Sequence, residues 1–281
     1  MMKIRMQKSM RIATLFVGIT LLLGGCATNT QNQVGGGAAF TPAQEAAISN
    51  IVAKTLINNP SILVETVEAL KVQQEAIMNQ NVNAAIVKNR DMLTADPNSP
   101  VVGKADAPVI IIEFFDYQCA YCHQAFPAIQ AVIHDHPNVK VVYKEFPIFG
   151  NASVYAAKMS LAANMQGRFE PFNTGLFESG LMEGQLTPKA VNEIAETAEV
   201  NIQVAMDEIQ HNASFQEELN QNQFLASVFG MRGTPDFIVM PNSPNPSAMA
   251  ITFLPGAVSE ETLNSAIITA ETNDKKDKKE Q

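Results

Sequence analysis

The stretch that most constrains this chain is Glu113-Phe114-Phe115-Asp116-Tyr117-Gln118-Cys119-Ala120-Tyr121-Cys122-His123. It follows Val109-Ile110-Ile111-Ile112, an apolar β-branched run that reads as a fully buried strand. It precedes Gln124 to His134, which reads as a helix with Phe126, Ile129, Val132 and Ile133 on its apolar side. A Cys-x-x-Cys pair therefore sits where a strand turns into a helix. Two thiols three residues apart at a helix start share one face, within bridging reach. The free N–H groups and partial positive charge of the helix N-terminus stabilise a thiolate. These are the physical ingredients of a redox-active dithiol.

The rest of the chain reads as an α/β domain behind a helical segment. Thr41-Pro42-Ala43-Gln44 is a helix start, with Thr as cap, Pro first in the helix and Gln three residues on. Asn59 is a candidate cap for a second helix, where Leu63, Val67, Leu70, Ile77 and Ala84 keep a helical stripe interrupted by Gln74 and Asn81. About fifty helical residues before the first strand have little domain to pack on, so 41–95 is expected to be an oligomerisation segment, dimeric or trimeric. Val101-Val102-Gly103 reads as a short edge strand, and Val139 to Phe146 as a strand parallel to 109–115 across a crossover helix. Helix signals fill about 151–229, with Asn151 and Thr187 as starts. Phe237 to Met240 and Ile251 to Leu254 form a hairpin, and Glu260 to Ala270 a closing helix. The charged tail 272–281 is expected to be disordered.

The N-terminus reads as a targeting segment: Lys3, Arg5, Lys8 and Arg11 precede the apolar run Ile12 to Leu23, too short for a confident membrane span. Leu23-Gly24-Gly25-Cys26 resembles the lipobox of bacterial lipoproteins. That resemblance implies cleavage of 1–25, lipid on Cys26, membrane anchoring through it and, with Ala27 following, the outer membrane. Residues 26–40, with Gly35-Gly36-Gly37, then read as a flexible tether. Of three cysteines, Cys119 and Cys122 remain for redox chemistry, in an oxidising compartment. The net charge of −9 becomes −13 without 1–25, which argues against nucleic-acid partners.

Glu113-Phe114-Phe115-Asp116-Tyr117-Gln118-Cys119-x-x-Cys122, Lys144-Glu145-Phe146-Pro147 and Gly233-Thr234-Pro235 together resemble the DsbA/DsbC-type exported thiol-disulfide oxidoreductases, over about 100–271 and less firmly 41–95. The resemblance implies a thioredoxin-like fold with a helical insertion. It implies Cys119 as nucleophile, Cys122 as resolving thiol and Thr234-Pro235 as a cis peptide facing the dithiol. Glu113 is implied as a buried proton relay. It also implies exported client proteins and a membrane redox partner that recycles the pair. Ala120-Tyr121 and Thr234 are closer to the isomerase branch, while the long insertion is closer to the oxidase branch. His123 is expected to modulate the thiolate by positive charge. No cofactor or metal is expected, since two cysteines and four scattered histidines make no zinc set. Two alternatives stand beside this reading. Cys119-x-x-Cys122-His123 is literally a c-type haem attachment pattern. The chain could also be a non-enzymatic envelope lipoprotein, an antigen or holdase, with a vestigial thioredoxin domain.

Overall fold

The computed structural model describes residues 40–280, and side chains through 273. The signal segment, Cys26 and nearly all of the tether lie outside the described residues. The described residues divide into two compact units, 40–63 and 64–280. In the first, α1 (Pro42–Asn58) begins with the expected capping box between Thr41 and Gln44 and buries none of its residues. Asn59 is the C-cap of α1, its amide donating back to Thr55 O at 2.9 Å, and its carbonyl accepts from Ile62 N at 3.1 Å in the first turn of the next helix.

α2 (Ser61–Lys88), whose first three residues fall in the first unit, leaves Val64, Val67, Leu70 and Ile77 exposed, and only near its end does Ile86 become fully buried. The short α3 (Arg90–Thr94) adds Leu93 to the same core. The sheet is built from β1 (Val101–Gly103), β2 (Val109–Phe115), β3 (Val139–Glu145), β4 (Asp236–Pro241) and β5 (Thr252–Pro255), in the order β1-β3-β2-β4-β5. β2 and β3 are parallel, joined by α4 (Ala120–Asp135), and the other pairs are antiparallel. A crossover helix leaves parallel pairing as the natural outcome.

Every residue of β2 is buried, so it divides its side chains between two cores. Val109, Ile111 and Phe115 enter the core with α4, and Ile110, Ile112 and Phe114 the core with Ile86 and Leu93. Glu113 shares the α4 face by alternation. Between β3 and β4 run α5 (Asn151–Met165), α6 (Phe169–Glu178), α7 (Pro188–Thr197), α8 (Ile202–His211) and α9 (Ala213–Phe229). Thr187 caps α7, whereas α5 is preceded by Gly150 with φ 84°, and Asn151 is its first residue rather than its cap. The aromatic residues Phe169, Phe172 and Phe177 are buried core. This is a thioredoxin-like fold with a helical insertion. The last helix, α10 (Glu260–Glu280), continues where the sequence reading stops it at Ala270 and expects a disordered tail. Among the described residues, no helix is long and apolar enough to cross a membrane.

Candidate active site: the dithiol, the buried carboxyl and the cis-proline loop

β2 ends at Phe115, and four residues later the chain enters α4 with Cys119 as its N-cap. The turn is tied locally. Cys119 N donates to Asp116 O at 3.1 Å, and Cys122 N and His123 N both donate to Cys119 O. This leaves the two sulfurs at different depths: Cys119 retains a sliver of exposure and Cys122 none. Ala120 and Tyr121 between them are exposed, with Tyr121 at 64%.

The surroundings separate the two thiols chemically. Cys119 is lowered from 9.0 to about 6. The largest cause is the Cys122 thiol, which donates to the Cys119 sulfur. Burial opposes it, and the Thr234 side chain and the N–H groups of Cys122 and Tyr121 add further donors. Cys122 is pushed up instead, first by burial, then by its own hydrogen bond to the Cys119 sulfur and by the charge on Cys119 and, when it is ionised, Glu113. One thiol is thus poised as a thiolate near neutral pH and the other is held protonated.

Thr234-Pro235 is a cis peptide, and the Cys119 thiol donates to Thr234 O at 3.0 Å across 115 residues of sequence. The Thr234 hydroxyl is buried and has no partner in the dithiol. A thiolate at Cys119 supplies the acceptor that this hydroxyl lacks. Beside this loop lies a cavity of about 740 Å³, lined by Met78, Val82, Phe229, Met231, Pro235 and Phe253 among others. Glu113 is 2% exposed, between Tyr143 of β3 and Phe237 of β4 in register. Burial raises its carboxyl from 4.5 to about 8, so it holds a proton at neutral pH. Lys144 does not neutralise it. Lys144 lies on the opposite face of the sheet, donating to Ser99 Oγ at 2.8 Å and Met92 O at 3.1 Å.

His123 does not reach either sulfur with a hydrogen bond. Its Nδ1 lies 2.9 Å from Phe177 O and its Nε2 2.8 Å from Tyr117 O, with the ring edge-on to Phe177. Both ring nitrogens face carbonyl oxygens, so neither is directed outward as a ligand would be, which counts against the haem reading. Among the described residues, no group of three or more His, Cys, Asp or Glu could hold a metal ion.

Sequence reasoning assigned no part to Asp116 or Gln118, although both lie in the stretch it singled out. Both are buried. Asp116 accepts four hydrogen bonds, and Gln118 exchanges three with Phe149 O, Ser153 Oγ and Gly184 N. An Asp shortly before a helix start is an Asx-turn signal, but its long-range partners carry no sequence signature.

With this geometry in place, the comparisons are specific. Residues 110–268 match the family described as DSBA-like thioredoxin domain, more than half of the chain. The chain belongs to this DsbA-like family. Residues 44–76 of this DsbA-like protein also match the Copper resistance protein ScsC N-terminal domain. A thioredoxin-like oxidoreductase from Silicibacter pomeroyi DSS-3 is 33% identical, covering 66% of this chain and 98% of its own, with TM-score 0.58. BcfH of Salmonella enterica Typhimurium is 28% identical, covering 81% and 96%, with TM-score 0.69. Disulfide bond formation protein D of Bacillus subtilis is 26% identical over 166 residues, 54% of this chain and 73% of that protein. The chain also matches a much larger protein in part. It is 31% identical over 115 residues to Na(+)/H(+) antiporter NhaA 1 of Salinispora arenicola, spanning 40% of this chain and only 17% of the antiporter. The shared architecture is that of a thiol-disulfide oxidoreductase.

Proposed function

We propose that this protein exchanges disulfides with exported client proteins of the bacterial envelope through Cys119 and Cys122. The observation that carries this reading is the split pair, with Cys119 lowered to about 6 beside the cis Thr234-Pro235 loop and Cys122 held protonated beneath it. In the reducing direction the Cys119 thiolate attacks one sulfur of a client disulfide. The client S–S bond breaks, its other sulfur leaves as a thiolate that takes up a proton, and a Cys119–client mixed disulfide remains. Cys122 then gives its proton towards Glu113, once that carboxyl is ionised, and attacks the Cys119 sulfur. The second client sulfur leaves as a thiolate that takes up a proton, and Cys119–Cys122 is left as a disulfide, having given the client the two electrons that reduced it. Oxidation of a client dithiol is the same path reversed, and isomerisation stops at the mixed disulfide while the client's own thiols rearrange. A membrane redox partner resets the pair.

Placement in the envelope rests on the basic-apolar leader and the Leu23-Gly24-Gly25-Cys26 lipobox, which support cleavage, lipidation of Cys26 and attachment to the outer membrane on the periplasmic side. The exposed apolar side chains of α1 and α2 support 41–95 as a segment that assembles copies of the chain, as a dimer or trimer. The apolar lining of the cavity beside Pro235 suits the chain that flanks a client cysteine.

The test is Cys119→Ala, assayed by insulin reduction and by refolding of scrambled ribonuclease. Loss of both is expected, and full activity in both overturns the proposal. Cys122→Ser should trap clients as covalent mixed disulfides, which a non-enzymatic holdase would never form.

A further inference from the structure

We infer that Asp116 is a positioning residue for thiol-disulfide exchange: its carboxylate locks the dithiol turn to the helical insertion and so sets where the Cys119 sulfur lies. This rests on the reading that Cys119 is the attacking thiol. Asp116 is 1% exposed. Its Oδ1 accepts from Gln118 N at 2.8 Å and Ser153 Oγ at 2.7 Å, and its Oδ2 from Ile148 N at 2.7 Å and Phe149 N at 3.1 Å. Two donors on each oxygen replace the water that burial removed. One donor belongs to the turn itself, one to α5 and two to the loop that leads into α5.

The backbone of the same residue serves both cysteines. Asp116 O accepts from Cys119 N at 3.1 Å, and a backbone group of Asp116 hydrogen-bonds the Cys122 sulfur. The side chain therefore anchors, against the insertion, the one residue whose main chain touches both ends of the dithiol. It makes no hydrogen bond to either sulfur, so it acts through position. Displacing the turn would move Cys119 off the N–H groups of Tyr121 and Cys122 and off the Thr234 loop, which are the contacts that favour its thiolate.

Asp116→Asn is an isosteric probe. Whichever way the amide is turned, its NH₂ confronts two donors where the carboxylate faced them as an acceptor. The Cys119 thiolate is titrated by its absorbance near 240 nm, and exchange is followed with a small aromatic disulfide, so no protein client is needed. The expected result is an upward shift of about one unit in the titration and a loss of about tenfold or more in exchange rate, as misplacement of a reacting atom produces. A lower melting temperature with titration and rate unchanged would mean a purely structural Asp116 and overturn the inference. A downward shift would overturn it too, because the carboxylate would then act by charge. If Asp116→Asn does not fold, Ser153→Ala removes one donor only. The same two readouts should move in the same directions, by about threefold in rate for one weakened contact, and no movement overturns the inference. Failure of the enzymatic reading is separate: it appears as undiminished exchange in Cys119→Ala.

Discussion

Cys119 and Cys122 are chemically alike in sequence, and depth alone makes them different. The N-cap position gives Cys119 donors, while one helical turn further in burial and neighbouring negative charge outweigh the one backbone donor that Cys122 receives from Asp116. Iodoacetamide alkylation should therefore follow a single thiolate with a midpoint near pH 6, at Cys119, read by peptide mass mapping. Thr234→Val removes the hydroxyl that waits for that thiolate. The midpoint should rise by about one unit, the equivalent of one charge-assisted hydrogen bond of about 1.5 kcal/mol. A midpoint unchanged by Thr234→Val would show that the hydroxyl does not serve the sulfur. Glu113→Gln should leave this titration in place and slow the second step, so that mixed disulfides accumulate, with a rate loss of about a hundredfold for a removed proton acceptor. The Cys-x-x-Cys spacing was legible at this scale, and Glu113 was named through the resemblance that its neighbours carry rather than through any local pattern. The Asp116 and Gln118 bonds were not, since Ile148, Phe149, Ser153 and Gly184 come from segments that nothing in the local pattern pairs with the turn.

At the scale of elements, His123 changes character. Read in sequence it is a charge beside a thiol. In the fold it is a clasp, joining α4 to the end of α6 through Phe177 O and the turn through Tyr117 O. His123→Leu keeps bulk but removes the one N–H that a neutral imidazole donates, leaving one carbonyl unpaired, at a cost of about 1–3 kcal/mol in urea denaturation. A loss under about 0.5 kcal/mol would mean that water or relaxation replaces the bond. The second half of α2 also departs from a pure stalk. Ile86 is fully buried and Asn83 Nδ2 donates to Ala248 O and Ile251 O at 2.9 Å each. Deleting 41–95 would therefore open the core, whereas deleting 41–77 removes the exposed stripe and spares Val82 onward. Light scattering of the 41–77 deletion should give a monomer mass against a multiple for the longer chain. Equal, monomeric masses for both would end the oligomerisation proposal.

Across the whole molecule, the domain keeps several carboxyls where water cannot reach them. Glu113 is raised to about 8, Glu218 to about 7 and Asp236 to about 6, in each case chiefly by burial. A carboxyl whose folded pKa exceeds its unfolded value binds its proton more tightly when folded. Its stabilising effect is complete below the unfolded value near 4.5 and is lost as pH rises through the folded one. In the oxidised protein, where Cys119 has no thiol to ionise with the opposite sign, the domain should therefore be most stable on the acid side and weaken between about pH 5 and 8. Chemical denaturation across that window should show the free energy of unfolding falling, and Glu113→Gln should flatten its upper part. At about 1.4 kcal/mol per unit, the Glu113 share is on the order of 4–5 kcal/mol at most. A stability that rises from pH 5 to 8 would contradict the assignment of these groups as buried and protonated.

Local pattern alone determined that this chain makes a parallel βαβ unit with a dithiol at the helix start, a long helical insertion and a returning Gly233-Thr234-Pro235, because each depends on residues close in sequence. The α5 start and the end of α10 went differently, since helix boundaries turn on small differences that tertiary contacts and backbone geometry readily outweigh. Tertiary structure decided the rest of the site. It brought Thr234 O to 3.0 Å from the Cys119 sulfur across 115 residues and turned Glu113 away from Lys144. It also engaged both nitrogens of His123 with carbonyls and closed four donors around Asp116. A pattern of residues can place a reactive group on a helix or a strand. The pKa of that group depends on burial and on donors from distant segments, and those exist only once the chain has folded.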